Sequence, residues 1–283
     1  MIIFQWIKSI LGFIKEYFKS LLFLAILFWL FSPTEDQLLN YNLAKVYLKG
    51  EIVDTTEIVE ELREVLDDDE VKGLLLIVDS GGGAVSGSIE ISDIVKRIRD
   101  KKPVVTYASG TLASGSYYSS IWSNEIVANR GSIVGSIGVI FDGINYSELA
   151  EEIGIASQTL TAGKYKEVGT ASREWKPHEK AEMEKVIEDM YLTFITDVSN
   201  ARGLDLNRSS EFADAHIFTA KQALEVGLID SLGTVIEAEK RLEEITDLPF
   251  PVWEKESEVD KFMKEFSSNL ANGILSNFQP KFK

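Results

Sequence analysis

The sequence contains no cysteine. Structural disulfides, thiolate zinc sites and cysteine nucleophiles are excluded with it. Histidine is nearly absent, with His178 and His216 the only two. His178 stands in KPHEK, at the polar start of an expected helix, where a solvated ring is the simple reading. His216 stands in DAHIFTA beside a strand-like run, where a structural role is. A Ser-His-Asp triad therefore has few candidates, and a hydrolase built from this chain would draw its base from Lys, Asp or Glu. Basic charge is also short, 29 Lys+Arg against 45 Asp+Glu, for a net charge of −16. The basic residues are spread rather than striped, which disfavours nucleic-acid binding. The acidity gives solubility and mutual repulsion. There is no repeat of the kind that marks a solenoid.

What is present is length and apolar content. A chain of 283 residues at 45% hydrophobic supports one large domain or two small ones. Residues 21–31, LLFLAILFWLF, are apolar without a break. That is short for a span of about 20 residues. Phe13, Ile14 and Trp29 extend the apolar surface, and Lys15 and Lys19 can snorkel. The leader before the run is long for a cleaved signal peptide, and no A-x-A-like site follows in FSPTEDQ. An uncleaved N-terminal transmembrane anchor is thus expected over residues 1–32, followed by a polar linker, 33–43. Lys8, Lys15 and Lys19 precede the run, and Glu35 and Asp36 follow it. The main domain then faces away from the cytoplasm.

Beyond the linker, apolar runs alternate with helix-period segments. Strands are expected at 46–54, 74–78, 103–107, 125–128, 133–140 and 155–160. Helices are expected around 58–66, 85–100, 145–153 and 177–201. LLLIV (74–78) has the continuous apolar character of a buried parallel strand. The order implies an α/β domain. HIFTAKQALEVGLIDSLG (216–233) reads as a strand, a short helix, a turn and a short strand. A C-terminal tail, 249–283, carries Val259, Phe262, Met263, Phe266 and Leu270 at helical spacing.

Four stretches could carry chemistry. VDSGGGAVSGS (78–88) ends a strand in three glycines before a helix. Such N–H groups can hold a phosphate or an oxyanion. A P-loop would need Lys-Ser/Thr after its last glycine, and a dinucleotide fingerprint would need G-x-G-x-x-G; neither is present. A plain tight turn is the bland alternative. TLASGSYYSS (111–120) puts a serine before a glycine at a helix start, where the following N–H can donate to an oxyanion. On spacing alone Ser114, Ser116, Ser119 and Ser120 compete. GSIVGSIGVI (131–140) is a glycine-punctuated strand holding Ser132 and Ser136, and TAGKYKEVGTASRE (161–174) is a loop holding Lys164, Lys166 and Arg173. The bland reading of that loop is a solvated basic surface.

DSGGG, ASGSYY, VGSIGVI and GKYKEV, in that order, together with FTAKQALEVGLIDSLG, resemble the signal peptide peptidase A family of membrane-bound Ser-Lys proteases, peptidase family S49. The resemblance runs over about 44–245 and implies a protease domain at 44–248 with a Clp protease/crotonase-like α/β fold. It implies Ser114 as nucleophile, Lys166 as general base and Ser136 as the serine that hydrogen-bonds the lysine amine. It implies an oxyanion hole made by Gly115 with Gly82 or Gly83, Gly82 being preferred. Ser116 stands where the family has a second glycine, and DSGGG where N-S-P-G-G is commoner. No cofactor or metal is implied. The implied partners are peptides, remnant signal peptides among them, and the membrane. The implied location is the cell (plasma or inner) membrane, single-pass, with the catalytic domain extracytoplasmic. The family also has double-length members that split serine and lysine between halves. This single copy would then form a homo-oligomeric ring, with each site shared between subunits. A lysine base must be neutral, and desolvation is what lowers an amine from its ordinary value of about 10.4. Two rivals share the fold: a crotonase-like acyl-CoA enzyme and a non-catalytic scaffold.

Overall fold

The computed structural model describes residues 15–24, 26 and 41–254. The chain forms two units, residues 42–251 and the terminal segments 1–41 with 252–283. In the terminal unit, residues 15–24 and 26 are helical. The rest of the expected anchor, nearly all of the linker and the tail beyond 254 lie outside the described residues. Among the described residues no helix is long and apolar enough to cross a membrane.

The 42–251 unit alternates strands and helices. It opens with β1 (Leu43–Ile52), α1 (Thr56–Asp67), β2 (Gly73–Gly83), α2 (Val85–Arg99), β3 (Val104–Ala113) and α3 (Gly115–Ser120). Then come β4 (Glu125–Ala128), β5 (Ile133–Gly135), α4 (Ser147–Glu152) and the long α5 (Pro177–Arg202). A 3-10 turn (Leu206–Glu211), β6 (Ile217–Thr219), α6 (Ala220–Glu225), β7 (Ser231–Leu232) and α7 (Val235–Thr246) complete it. The sheet runs β1-β2-β3-β4-β7, all parallel. Residues 73–78 of β2 are buried at every position. Successive strand side chains point to opposite faces, so the sheet is covered on both sides there. Glycine at 73 lets α7 approach, since a Cβ there would stand 2.8 Å from Thr246 Cγ2. Lys102 is 8% exposed, and its Nζ donates to the carbonyls of Val65 and Asp68, closing the C-terminal end of α1.

β3 sets the position of the site. Its first half pairs with β4, Val105 to Ala108 opposite Glu125 to Ala128. Its second half pairs instead with β5, Thr111 to Ala113 opposite Ile133 to Gly135. Between them β3 bulges against β2: Val78 faces Ala108, but Ser80 faces Leu112. Asp79 holds the bulge, its Oδ1 accepting from Thr111 N at 2.8 Å. A bulge bends a strand and redirects the residues beyond it; here the end of β3 still faces β2 at Ser80 but exchanges β4 for β5 on its other side.

The strands expected at 74–78 and 103–107 run on to Gly83 and Ala113, because the segments that follow keep pairing with a neighbouring strand. Two other expected strands are shorter or absent. The strand expected at 133–140 ends at Gly135, because Ser136 turns at φ 51° and gives its N–H to His216 O. The strand expected at 155–160 is irregular and exposed throughout. It pairs with none of the strands, and a strand without a partner leaves its backbone groups to water.

Candidate active site

Ser114 sits between the last residue of β3 and the first of α3. Its backbone, φ 52° and ψ −126°, lies in a sparsely populated region for a residue with a side chain. Such a conformation costs on the order of 1–3 kcal/mol and persists where the surroundings over-determine it. They do so here. Ser114 N donates to Gly135 O at 2.8 Å, and Tyr118 N donates to Ser114 O at 3.0 Å. A strand is thus turned sharply into a helix with the serine at the corner.

The neighbouring hydroxyls are engaged. Ser109 Oγ donates to Val78 O. Ser116 Oγ accepts from Ala113 N at 2.9 Å and lies 2.6 Å from Ser80 O, bracing the turn to β2. Ser119 and Ser120 return their hydroxyls to Gly115 O and Ser116 O, one helical turn back. Of the five serines in 109–120, only Ser114 makes no side-chain hydrogen bond among the described residues. The other four hydroxyls are satisfied by backbone groups of the stretch itself or of β2, as burial demands.

The glycines of β2 pack against this corner. A Cβ on Gly82 would stand 2.5 Å from Gly115 N and 2.9 Å from Ser114 Cβ, and its φ of 93° is left-handed. A Cβ on Gly115 would stand 2.2 Å from Ser88 Oγ and 3.2 Å from Gly83 N. The amides of Gly83 and Gly115 therefore come together beside Ser114. The Gly82 amide donates to Ser80 Oγ at 3.1 Å.

Ser114 opens onto a cavity of about 500 Å³. Val85 and Ile89 of α2, Tyr118 of α3, Val139 after β5, and Met190 and Phe194 of α5 supply its apolar walls. The Tyr118 ring meets Phe194 edge-on, centroids 4.8 Å apart, and its hydroxyl donates to Asp197. Burial foremost, and then that carboxylate, push the Tyr118 phenol well above its ordinary value. Size and lining suit one apolar side chain and its backbone. This wall was not legible as such. Met190 and Phe194 belong to an amphipathic stripe that reads as core, and no local signal marks them as lining.

Ser136 follows Gly135, and Gly135 is the register partner of Ala113. Ser114 and Ser136 are therefore adjacent across the two strands, and both leave at positive φ. Lys166 stands elsewhere in the excursion from Gly138 to Lys176 that links β5 to α5. It is exposed, and its amine makes no ion pair or hydrogen bond among the described residues. No residue of 161–169 lines the cavity at Ser114. Nearby, Arg173 bridges Glu167, at 2.8 Å, and Glu179, at 2.7 Å. The loop thus differs from a simple solvated basic surface. His178 is half-buried with its ring against Tyr165, centroids 5.8 Å apart, rather than free in water.

With this geometry stand the comparisons. A model of "Peptidase family S49" matches residues 96–248, and one of "Clp protease" matches 36–121. A putative protease of Methanocaldococcus jannaschii is 38% identical over 225 residues, 74% of this chain and 72% of its own. A putative signal peptide peptidase SppA of Enterococcus faecium is 32% identical over 225 residues, 74% of this chain and 65% of its own. Protease 4 of Salmonella typhi is 31% identical over 218 residues, 73% of this chain but 35% of its own. Among solved structures, a mutant of a membrane-bound stomatin-specific protease aligns with a TM-score of 0.49 at 15% identity, covering 77% of this chain and 96% of that one.

Proposed function

This chain belongs to peptidase family S49, and from that premise we propose a Ser-Lys endopeptidase with Ser114 as nucleophile and Lys166 as general base. It is a serine peptidase related to signal peptide peptidase A, with a mixed α/β, Clp-protease-like fold. The observation that carries the reading is Ser114 itself, at a strained strand-to-helix corner facing a cavity, with its hydroxyl unengaged among the described residues.

In the first half-reaction, neutral Lys166 Nζ accepts the Ser114 proton as Oγ attacks the peptide carbonyl carbon. The amides of Gly115 and Gly83 donate to the oxyanion. Gly82 is the weaker candidate because its N–H is already given to Ser80 Oγ. The C–N bond breaks, Lys166 returns the proton to the leaving amine, and an ester on Ser114 remains. Water, losing a proton to Lys166, attacks the ester; the acid leaves and Ser114 regains its proton. Ser136, beside Ser114 across the strands, hydrogen-bonds the lysine amine and orients it.

The substrates are remnant signal peptides or other membrane-associated peptides, and the apolar cavity supports an apolar side chain at the cut. Residues 1–32 anchor the chain in the cell membrane with the peptidase domain outside. The working form is a ring in which Lys166 meets the Ser114 of a neighbouring copy. Two observations favour that arrangement. Lys166 is exposed within one chain. The excursion that carries it also leaves Ile140 86%, Ile144 78%, Ile153 63% and Leu160 fully exposed. Apolar surface of that extent calls for a covering partner.

A fluorophosphonate probe tests the dyad on the full-length protein. Labelling at Ser114, abolished in Ser114→Ala and slowed in Lys166→Ala, is expected. An intact oligomer that does not react would overturn the assignment.

A further inference from the structure

We infer that Arg173 is a positioning residue for Lys166, tying the turn that carries the base to the first turn of α5 and occupying the carboxylate of Glu167 next to it. The inference rests on the Ser114–Lys166 reading. The turn itself is closed only locally: Lys166 N donates to Gly163 O, Val168 N to Tyr165 O, and Thr170 N to Glu167 O. Those bonds shape the turn but do not place it.

Placement comes from side chains. Glu179, in the first turn of α5, is 1% exposed. Its two oxygens receive the Arg173 fork, Nη1 at 2.8 Å and Nη2 at 2.7 Å, and Oε2 also accepts Lys176 N at 2.7 Å. A planar guanidinium on a buried carboxylate is a rigid joint. Arg173 Nη2 then reaches back to Glu167 Oε2 at 2.8 Å. One guanidinium thus joins the residue after Lys166 to the helix that walls the cavity. Trp175 Nε1, donating to Thr170 O at 2.7 Å, closes the same joint from the other side.

Other titratable groups stand around the turn, Lys164 among them with its amine 5.0 Å from the centre of the Tyr165 ring. On the turn lie Lys164, Tyr165 and Glu167, and after it come Arg173, Glu174 and Lys176. From α5 come His178 against Tyr165, Glu179 on Arg173, and Glu182, which holds Lys185 at 2.6 Å. Glu167 is the carboxylate adjacent to Lys166 in the chain, and Arg173 is the cation that bridges to it. Without Arg173, that carboxylate is free to stabilise the ammonium form of the base.

A role confined to capping α5 predicts loss of stability or rate without a change in pH dependence. A positioning role predicts a change. The measurement is the rate of fluorophosphonate labelling, and kcat/KM for a peptide, against pH on the full-length protein. Arg173→Gln is expected to move the acid limb to higher pH by about one unit. Adding Glu167→Gln should bring the limb back, because the released carboxylate is gone. Arg173→Lys keeps the charge but loses the fork, and should give a smaller shift in the same direction; it carries the test if Arg173→Gln does not fold. An acid limb that stays in place in these variants, or that Glu167→Gln does not restore, overturns the inference. Lys166→Ala that labels at the wild-type rate would instead sink the Ser-Lys reading, so the two failures are distinguishable.

Discussion

Ser114 and Ser136 leave neighbouring parallel strands from paired positions, Ala113 opposite Gly135, and both turn at positive φ, 52° and 51°. The amide of the first donates to the carbonyl that precedes the second, Gly135 O, at 2.8 Å. Parallel strands lie about 4.8 Å apart. Two hydroxyl-bearing residues are therefore held side by side by the strand pairing, at the point where β3 exchanges β4 for β5. The pairing has the cost of two strained residues, and strain of this kind gathers at functional corners.

The shared-site arrangement is tested by mixing. Ser114→Ala and Lys166→Ala chains are each expected to be inactive, or nearly so. Co-assembled, they should regain part of the wild-type peptidase activity, since some interfaces then join an intact serine to an intact lysine. No recovery from mixed, ring-sized oligomers would show that each chain supplies both groups.

Ser116 should behave as structure rather than chemistry. Ser116→Ala leaves Ala113 N and Ser80 O without their partner in a fully buried place. The expected loss is about 1–3 kcal/mol, or a fall in Tm of roughly 2–12 °C for a domain of this size. The folded fraction should still label at Ser114. A variant as stable as the wild type would contradict the bracing role.

Gly82→Ala is expected to abolish activity although it changes no reacting group. The new methyl would meet Gly115 N at 2.5 Å, at a φ of 93° that alanine disfavours. Relief requires the Ser114 corner to move, and a displacement of about 1 Å can cost 10²-fold in rate. Titration with the probe checks this: the protein should remain folded while labelling falls at least that far.

Acid stability should report Glu179. The Arg173 fork, and then the Lys176 amide, hold its carboxyl down to about 2, from 4.5. A carboxyl lowered in the folded state stabilises above its unfolded value and loses that contribution as pH falls through its folded one. Unfolding free energy should therefore drop between about pH 4.5 and 2 in the wild type. In Glu179→Gln that drop should shrink, while stability at neutral pH is lower. Equal acid slopes in the two proteins would rule the contribution out.

Filling the cavity should separate binding from chemistry. Met190→Trp on α5 adds bulk to the wall opposite Ser114. Cleavage of peptides with large apolar side chains at the cut is expected to fall at least tenfold in kcat/KM, while labelling by a small fluorophosphonate stays within about threefold. An equal fall in both would mean that the cavity does not seat the substrate side chain.

Much of this was legible from one chain. The apolar run at 74–78 and the helix at 177–201 follow from burial on two faces and on one stripe, and periodicity reports both directly. Glycines at 81–83 and a serine before Gly115 marked a place of close backbone approach, but that Gly82 and Gly83 continue β2 opposite Glu51 and Ile52, rather than turning, was not legible. The choice among four serines was not legible from spacing, because spacing does not say which hydroxyls find a carbonyl. Packing decides that: Ser116, Ser119 and Ser120 each lie within reach of one, and Ser114 does not. The bulge that splits β3 between two partners depends on Asp79, far away in sequence, and the wall of α5 depends on how that helix is laid down. The Arg173 joint depends on a carboxylate that only the tertiary fold buries. Residue types and local turns were thus set by the sequence itself, through steric freedom and hydrophobic period. Which polar groups stay unpaired, and which charges meet, was decided by long-range contacts that no local pattern encodes.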